Sequence, residues 1–157
     1  DMCIRDRLLY LTGYKSISIK DIQNFRQLNS ICAGHPEYEK NTGIETTNDP
    51  LGQGLSNAVG MAMAENWLAA NYNQPSHNII DHHTYVIASD GDMQEGVTSE
   101  AASLAGTLGL GKLIVLYDSN HISIEGDTDL TFTENVGYRF KYYGWNVQII
   151  MCVLCTR

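Results

Sequence analysis

The chain has 157 residues, of which 43% are hydrophobic and 18% charged, a composition typical of one globular domain with a sizeable core. Its formal net charge of −8, without a Lys/Arg cluster, argues against nucleic acid and anionic membrane surfaces as partners. No apolar run approaches the roughly 20 residues of a membrane-spanning helix, and no segment has the pattern of a signal peptide. The four cysteines (Cys3, Cys32, Cys152 and Cys155) lack framework spacing, so we expect a reducing, cytoplasmic setting.

The first fifty residues predict one short helix followed by a long loop. Ser18 is placed to cap a helix that runs to Leu28 with its apolar side chains on one face. From Asn29 to Pro50, glycine, proline and asparagine recur without apolar periodicity, which predicts a loop. Loops of this length in compact domains are usually functional, so His35 is either a solvated surface residue or a residue that contacts a ligand.

A long helix is predicted from Leu55 to Tyr72. Its apolar residues recur on one stripe, namely Leu55, Val59, Ala62, Met63 and Ala70. The many small residues of this segment also suit close contact with another helix. A polar connection follows at 73–83, and its three histidines lack the spacing of a metal site, so they are interpreted as surface residues.

The central stretch, from Tyr85 to Ile124, predicts a βαβ unit. A strand at 85–89 is followed by the sequence DGD at 90–92, and a strand at 113–116 precedes the sequence DSN at 118–120. The helix between them is expected to end at Gly109 and to bury one apolar face. The residues of that face are Val97, Ala101, Leu104, Ala105 and Leu108.

The turns that follow these two strands are expected to form a metal site. A right-handed crossover places the carboxyl ends of parallel strands at one edge of the sheet, where ligands bind in open α/β sheets. Asp90 and Asn120 then become neighbours with oxygen donors that suit Mg2+, an ion that keeps water and phosphate among its ligands. The residues alone therefore predict an α/β domain with an open, mostly parallel sheet flanked by helices, which binds Mg2+ and phosphate.

After the central unit, the chain predicts a further helix and a third strand. Thr133 is placed to cap a helix to about Tyr143, Gly144 ends it, and residues 145–153 have the composition of a strand. Cys152 and Cys155 form a single Cys-x-x-Cys at the end of this run and, without a second pair, are interpreted as packing residues.

The sequence DGDMQEGVTSEAASLAGTLGLGKLIVLYDSNHISIEG at 90–126 resembles the diphosphate-binding motif of the transketolases. Further matching segments are LLYLTGY at 8–14, GHPE at 34–37, PLGQG at 50–54 and YGWNVQII at 143–150. The resemblance covers about residues 8–150 and implies the thiamine diphosphate-binding fold. It identifies the chain with the diphosphate-binding (PP-type) domain of that family.

The resemblance implies the ligands of the metal and of the diphosphate. Asp90 and Asn120 would hold Mg2+ (or Ca2+) through their side chains, and Ile122 would hold it through its backbone carbonyl. The amide of Gly91 would face the diphosphate of thiamine diphosphate.

Further roles implied by the resemblance lie outside the metal site. Leu51 and Gly52 would approach the thiamine part of the cofactor, and His35 would contact substrate hydroxyl groups. Glu95 would lie near the dimer interface and connect the two active sites. Asp49 replaces the family's glycine and brings a Cβ and a negative charge close to the cofactor, so a lower cofactor affinity is expected.

The implied reaction is the transfer of a two-carbon ketol unit between sugar phosphates, with the cofactor as electron sink. Residues 1–157 are expected to be a single, truncated PP-type domain without pyrimidine-binding or C-terminal domains. Such a chain would be inactive alone and would act in a homodimer or with a pyrimidine-domain subunit. Two alternatives remain open: a non-catalytic remnant, and a fragment of a related enzyme such as phosphoketolase or dihydroxyacetone synthase.

Overall fold

The computed structural model describes residues 2–38, 40–48, 50–122 and 126–150. Its elements in chain order are α1 (Met2–Leu11), α2 (Ile19–Gln23), α3 (Gln53–Tyr72), β1 (Thr84–Ser89), α4 (Asp90–Gln94), α5 (Gly96–Leu108), β2 (Leu113–Asp118), a 3-10 helix (Thr128–Leu130) and α6 (Val136–Tyr142). No helix within these ranges combines the length and the apolar character needed to cross a bilayer.

The two strands form a parallel sheet flanked by helices, which confirms the predicted α/β class. Thr84 lies opposite Leu113 and Ser89 lies opposite Asp118, so both strands begin and end at the same level. Helix α3 packs against both α5 and β1. The turns after β1 and β2 therefore share one edge of the sheet, as the sequence predicts.

Small side chains allow α3 to lie close to α5 and the sheet. Ala58, Val59 and Ala62 of α3 form a buried cluster with Ala105 of α5 and Leu113 of β2. A second cluster joins α3, β1, α4, α5 and α6 through Leu55, Ala88, Met93, Ala102, Val136 and Phe140. These clusters fix the amino end of α3 relative to the strand-end turns.

The predicted apolar stripe of α3 is partly correct. Leu55, Val59 and Ala62 are buried, whereas Met63 and Ala70 are exposed. Glu65 is buried in their place, because an ion pair described below compensates its charge.

The predicted buried face of α5 is wrong for its large residues. Val97, Leu104 and Leu108 are exposed, while the buried residues of this helix are Thr98, Ala102 and Ala105. Small residues are buried on α5 because the neighbouring segments approach this helix closely. A Cβ at Gly106, for example, would overlap the carbonyl oxygen of Tyr143. The end of the helix is as predicted, since Gly109 is its C-cap with a φ of 63°.

The predicted helix from Ser18 begins as expected but ends early. The Ser18 amide donates to Oδ2 of Asp21 at 2.8 Å, and the Asp21 amide donates back to Oγ of Ser18 at 3.4 Å. The helix ends at Gln23 rather than Leu28. Arg26 has a φ of 62°, a left-handed conformation that an α-helix cannot contain.

The last predicted elements also differ from the structure. The final helix begins at Val136 and is capped by Asn135, whose Oδ1 accepts a hydrogen bond from the Tyr138 amide at 2.9 Å, so the predicted Thr133 cap is wrong. Within 145–150 no strand forms, and Trp145 and Val147 pack against the buried clusters instead. Residues 151–153, Cys152 and Cys155 lie outside the described residues.

An ion-pair group joins α3 to the starts of the two strands. The ammonium group of Lys112, next to β2, lies 2.7 Å from Oε1 of Glu65 and 2.7 Å from Oδ1 of Asp81, which precedes β1. These hydrogen bonds raise the pKa of Lys112, and the bond from Lys112 lowers the pKa of Asp81. The side chain of Glu65 is 4% exposed, so its carboxylate depends on Lys112 for compensation.

Lys112→Met is expected to lower the free energy of unfolding, because Glu65 would then remain buried without a cation. Glu65→Leu in the same background is expected to recover much of the loss, since it removes the isolated charge. Urea unfolding of the wild type, both single variants and the double variant measures these changes. A double variant less stable than Lys112→Met would contradict this account.

The contribution of these ion pairs is expected to be present between roughly pH 4 and pH 10. It is lost as pH falls through the lowered pKa of Asp81, and it is lost as pH rises through the raised pKa of Lys112. The difference in stability between wild type and the Lys112→Met/Glu65→Leu double variant should therefore shrink at both extremes.

Candidate functional site

The carboxylate of Asp90 is the most deeply buried acidic group at the shared edge of the sheet. Asp90 is 2% exposed and directly follows β1. One carboxylate oxygen accepts the His121 amide at 2.8 Å, and the other accepts the hydroxyl of Tyr117. Both donors are neutral, and Asp90 has no ion-pair partner among the described residues. A buried carboxylate is costly without a cation, so this site favours a positive ligand.

Tyr117 acts as a hydrogen-bond donor in this arrangement. Burial and, after it, the hydrogen bond to Asp90 raise the pKa of Tyr117 to about 12. Its hydroxyl therefore stays protonated at neutral pH and holds one carboxylate oxygen of Asp90.

The turn after β2 carries the second predicted ligand, Asn120. Its Oδ1 accepts the Ile122 amide at 3.0 Å, and its Nδ2 donates to Oδ2 of Asp118 at 2.9 Å. His121 has a φ of 59°, which a residue with a side chain rarely adopts and which occurs often at functional sites. Since the amide of His121 binds Asp90, the structure brings the two predicted turns together.

The segment before α3 forms a second wall beside these turns. The Gly52 amide donates to Oδ1 of Asp92 at 2.9 Å, and a Cβ at Gly91 would lie 2.9 Å from Cδ1 of Leu51. Gly52 has a φ of 81°, and a Cβ there would lie 2.7 Å from Cβ of Glu95. Leu51, Gly52, Gly91 and Glu95 are therefore neighbours, and the φ and close neighbours of Gly52 require a glycine there.

Asp92 is a further residue of the site, beyond those predicted from the sequence. Its Oδ2 accepts the amide of Ser89 at 2.9 Å and the hydroxyl of Ser89 at 3.1 Å, while its Oδ1 accepts the Gly52 amide. The spacing Ser89-x-x-Asp92 is the signal of a capping box and predicts the local bonds. The bond to Gly52 has no signal in the local sequence.

The predicted substrate residue His35 lies on the segment between α2 and α3. Its side chain is 43% exposed, and Nδ1 lies 3.7 Å from Oε1 of Glu37. The segment is anchored nearby, because Nη2 of Arg5 donates to the Ala33 carbonyl at 2.9 Å. The contacts that join the strand-end turns to Leu51 and Gly52 do not include His35.

Of three further residues predicted to lie near the cofactor or the dimer interface, the structure describes two. Glu95 is exposed and is the N-cap residue of α5, next to Gly52. Ile122 is 61% exposed, and its amide binds Asn120. Asp49, where the chain departs from the family, lies outside the described residues.

The residues present fit a hard divalent cation. The donors at the edge are a carboxylate, an amide oxygen and backbone carbonyls, which Mg2+ and Ca2+ prefer. The described residues contain no group of three or more His, Cys, Asp or Glu side chains arranged to hold a metal. The predicted set is of a different kind, because it combines Asp90 with the side-chain oxygen of Asn120 and the carbonyl of Ile122.

Comparison with known proteins identifies the chain's relatives. A family model described as the transketolase thiamine diphosphate binding domain matches residues 2–152. A transketolase of Nostoc sp. is 61% identical over 140 residues, which cover 89% of this chain and 21% of that protein. A transketolase of Treponema pallidum is 58% identical over 139 residues, which cover 88% of this chain and 21% of that protein.

Solved structures lead to the same family. Transketolase from Leishmania mexicana superposes with a TM-score of 0.75 at 51% sequence identity, over 89% of this chain and 21% of that one. A Pichia stipitis transketolase in complex with sedoheptulose-7-phosphate gives a TM-score of 0.75 at 50% identity, with the same coverage. The chain thus spans about a fifth of the length of the relatives that it matches.

Proposed function

The chain belongs to the transketolase family through its thiamine diphosphate binding domain, and from this premise we propose that its strand-end turns bind thiamine diphosphate together with a divalent cation. The observation that carries the proposal is the buried carboxylate of Asp90. It is held by two neutral donors, Tyr117 and His121, and has no cationic partner among the described residues. A bound cation would supply the missing positive charge.

The metal would be held by the two turns at the edge of the sheet. Asp90 and Asn120 would provide side-chain oxygens, and Ile122 would provide its backbone carbonyl, to Mg2+ or Ca2+. The Gly91 amide would face the diphosphate, and the absence of a side chain at this position permits a close approach. The hydrogen bond between Asp90 and the His121 amide supports a shared role for both turns, because it fixes their separation.

The thiamine part of the cofactor would lie against Leu51 and Gly52. Leu51 is 41% exposed although it is apolar, which leaves surface available for an aromatic ring. His35 would contact substrate hydroxyl groups, and Glu95 would lie near the interface of a dimer and connect its two active sites. These assignments rest on the matching motifs, and the exposed positions of His35 and Glu95 leave both side chains accessible.

The reaction served by this site would be two-carbon ketol transfer between sugar phosphates in the cytoplasm. When bound, the cofactor supplies a nucleophilic carbon and an electron sink. The residues of this chain would anchor and orient it, while the carboxylate that activates it would come from a pyrimidine-binding domain in a homodimer or a separate subunit. That residues 1–157 contain a PP-type domain remains a prediction.

Calorimetric titration of thiamine diphosphate into the purified chain, with and without Mg2+, tests the proposal. We expect binding that requires Mg2+ and that is weakened about tenfold or more in Asn120→Ala, because the variant lacks a side-chain oxygen ligand. Asn146→Ala is the matched control, since Asn146 is exposed and lies outside both turns. Circular dichroism establishes that each sample is folded. No heat from folded wild type would contradict the proposal and would favour a non-catalytic remnant.

A further inference from the structure

The carboxylate of Asp92, in α4, joins two other parts of the candidate site. It accepts the Ser89 amide at 2.9 Å at the end of β1, and it accepts the Gly52 amide at 2.9 Å from the segment before α3. The second bond crosses 40 positions of the sequence. By contrast, the side-chain hydrogen bond described just before this segment, at residues 45–48, is local. The Thr46 hydroxyl donates to Oδ1 of Asn48 at 3.4 Å. Asp92 is therefore a polar link, seen among the described residues, between this segment and the strand-end turn.

The backbone of Asp92 is held as firmly as its side chain. The Thr98 hydroxyl donates to the Asp92 carbonyl at 2.6 Å, and Thr98 is fully buried in α5. A Cβ at Gly52 would lie 2.7 Å from Oγ1 of the same threonine. The Asp92 carboxylate thus has a fixed position, and it determines how closely Gly52 approaches the turn.

The position of Leu51 follows from this link. Leu51 directly precedes Gly52, and its Cδ1 lies so close to Gly91 that a Cβ there would be 2.9 Å away. Without the bond to Asp92, the Gly52 amide would lose its acceptor, and Leu51 would lose the anchor that holds it over Gly91.

We propose that Asp92 is a positioning residue that holds Leu51 over the Gly91 turn. It thereby sets the width of the site between the side chain of Leu51 and the metal-binding turns, which carry Asp90 and Asn120. This inference rests on the proposed function, because it assigns Leu51 to the thiamine part of the cofactor. Asp92 would raise the affinity for the thiamine part of the cofactor through the position of Leu51. Binding of the diphosphate and the metal would depend on Asp90 and Asn120 instead.

Two ligands separate these contributions. Thiamine diphosphate would contact both the side chain of Leu51 and the metal-binding turns, whereas inorganic pyrophosphate with Mg2+ would contact the metal-binding turns alone. Asp92→Ala is expected to raise the dissociation constant of thiamine diphosphate by roughly tenfold and to leave that of Mg2+-pyrophosphate within about twofold of wild type. Calorimetry at fixed Mg2+ concentration measures both constants.

A double-variant cycle tests whether Asp92 acts through Leu51. Leu51→Ala removes the side chain that Asp92 positions, so adding Asp92→Ala should weaken thiamine diphosphate binding little beyond Leu51→Ala alone. Asp129→Ala is the matched control, because Asp129 is an exposed acidic residue of the 3-10 helix. If Asp92→Ala does not fold by circular dichroism, Asp92→Asn replaces it, since its one oxygen can keep the two Ser89 bonds while its NH2 group cannot accept the Gly52 amide.

The outcomes distinguish the two proposals. Wild type that binds neither ligand overturns the proposed function, and the positioning role with it. Wild type that binds both, with Asp92→Ala weakening both equally, overturns the positioning role and assigns Asp92 a general structural one. The positioning role is also overturned if Asp92→Ala binds thiamine diphosphate as tightly as wild type. It is likewise overturned if the losses of affinity in Asp92→Ala and Leu51→Ala add up in the double variant.

Discussion

Asp90→Asn is expected to weaken Mg2+-dependent binding of thiamine diphosphate by about 100-fold or more, while the protein without cofactor remains at least as stable as wild type. Loss of a group that merely supports a metal ligand already costs about 10- to 100-fold, and Asp90 would bind the metal directly. Asparagine keeps the shape of the side chain and an oxygen for the His121 amide. It removes a buried negative charge that lacks a cationic partner among the described residues.

Two measurements on the same samples test this prediction. Calorimetry gives the loss of affinity, and urea unfolding without cofactor or Mg2+ gives the change in stability. Glu100→Gln is the matched control, because Glu100 is an exposed carboxylate of α5, and it should change neither quantity appreciably. A variant that binds thiamine diphosphate as tightly as wild type would remove Asp90 from the metal site. A marked loss of stability would show that its charge is already compensated in the unliganded protein.

Gly106→Ala is expected to lower the free energy of unfolding by about 2 to 3 kcal/mol, the second large effect. A Cβ at this position would overlap the Tyr143 carbonyl oxygen and lie 2.9 Å from the carbonyl carbon. These are backbone atoms, so the end of α6 must move away from α5. The indole of Trp145 would move with it, and its hydrogen bond to the Ala102 carbonyl, now 2.9 Å, would be strained.

Gly60→Ala provides a control of opposite sign. Gly60 lies in the interior of α3, and apart from its chain neighbours and its own helix backbone no described atom lies within 4 Å of the position that its Cβ would take. Alanine costs less conformational entropy in a helix, so this variant should gain about 0.5 to 1 kcal/mol. Thermal and urea unfolding measure both variants. If the two glycine substitutions had similar effects, helix propensity rather than the contact with Tyr143 would govern Gly106.

The local sequence determined the elements whose signals lie within a few residues. The Ser18 cap, the Gly109 stop and the two strands with their acidic and polar turns are confirmed, because each depends on nearby side chains or on backbone conformation. The parallel pairing then follows from chain order, since a helix between two strands returns the chain to the same edge. The neighbouring turns of Asp90 and Asn120 could therefore be derived from the sequence.

Packing between distant segments decided what the sequence did not determine. Helix α5 turns Ala102 and Ala105 inward and leaves Leu104 exposed, because its neighbours approach too closely for large side chains. Residues 145–150 have strand composition but pack the half-buried Trp145 against α5, since an extended segment forms a strand only when a neighbour offers free backbone groups. The bond between Asp92 and Gly52 likewise exists only after α3 has packed on the sheet, and it joins residues that local sequence patterns cannot relate.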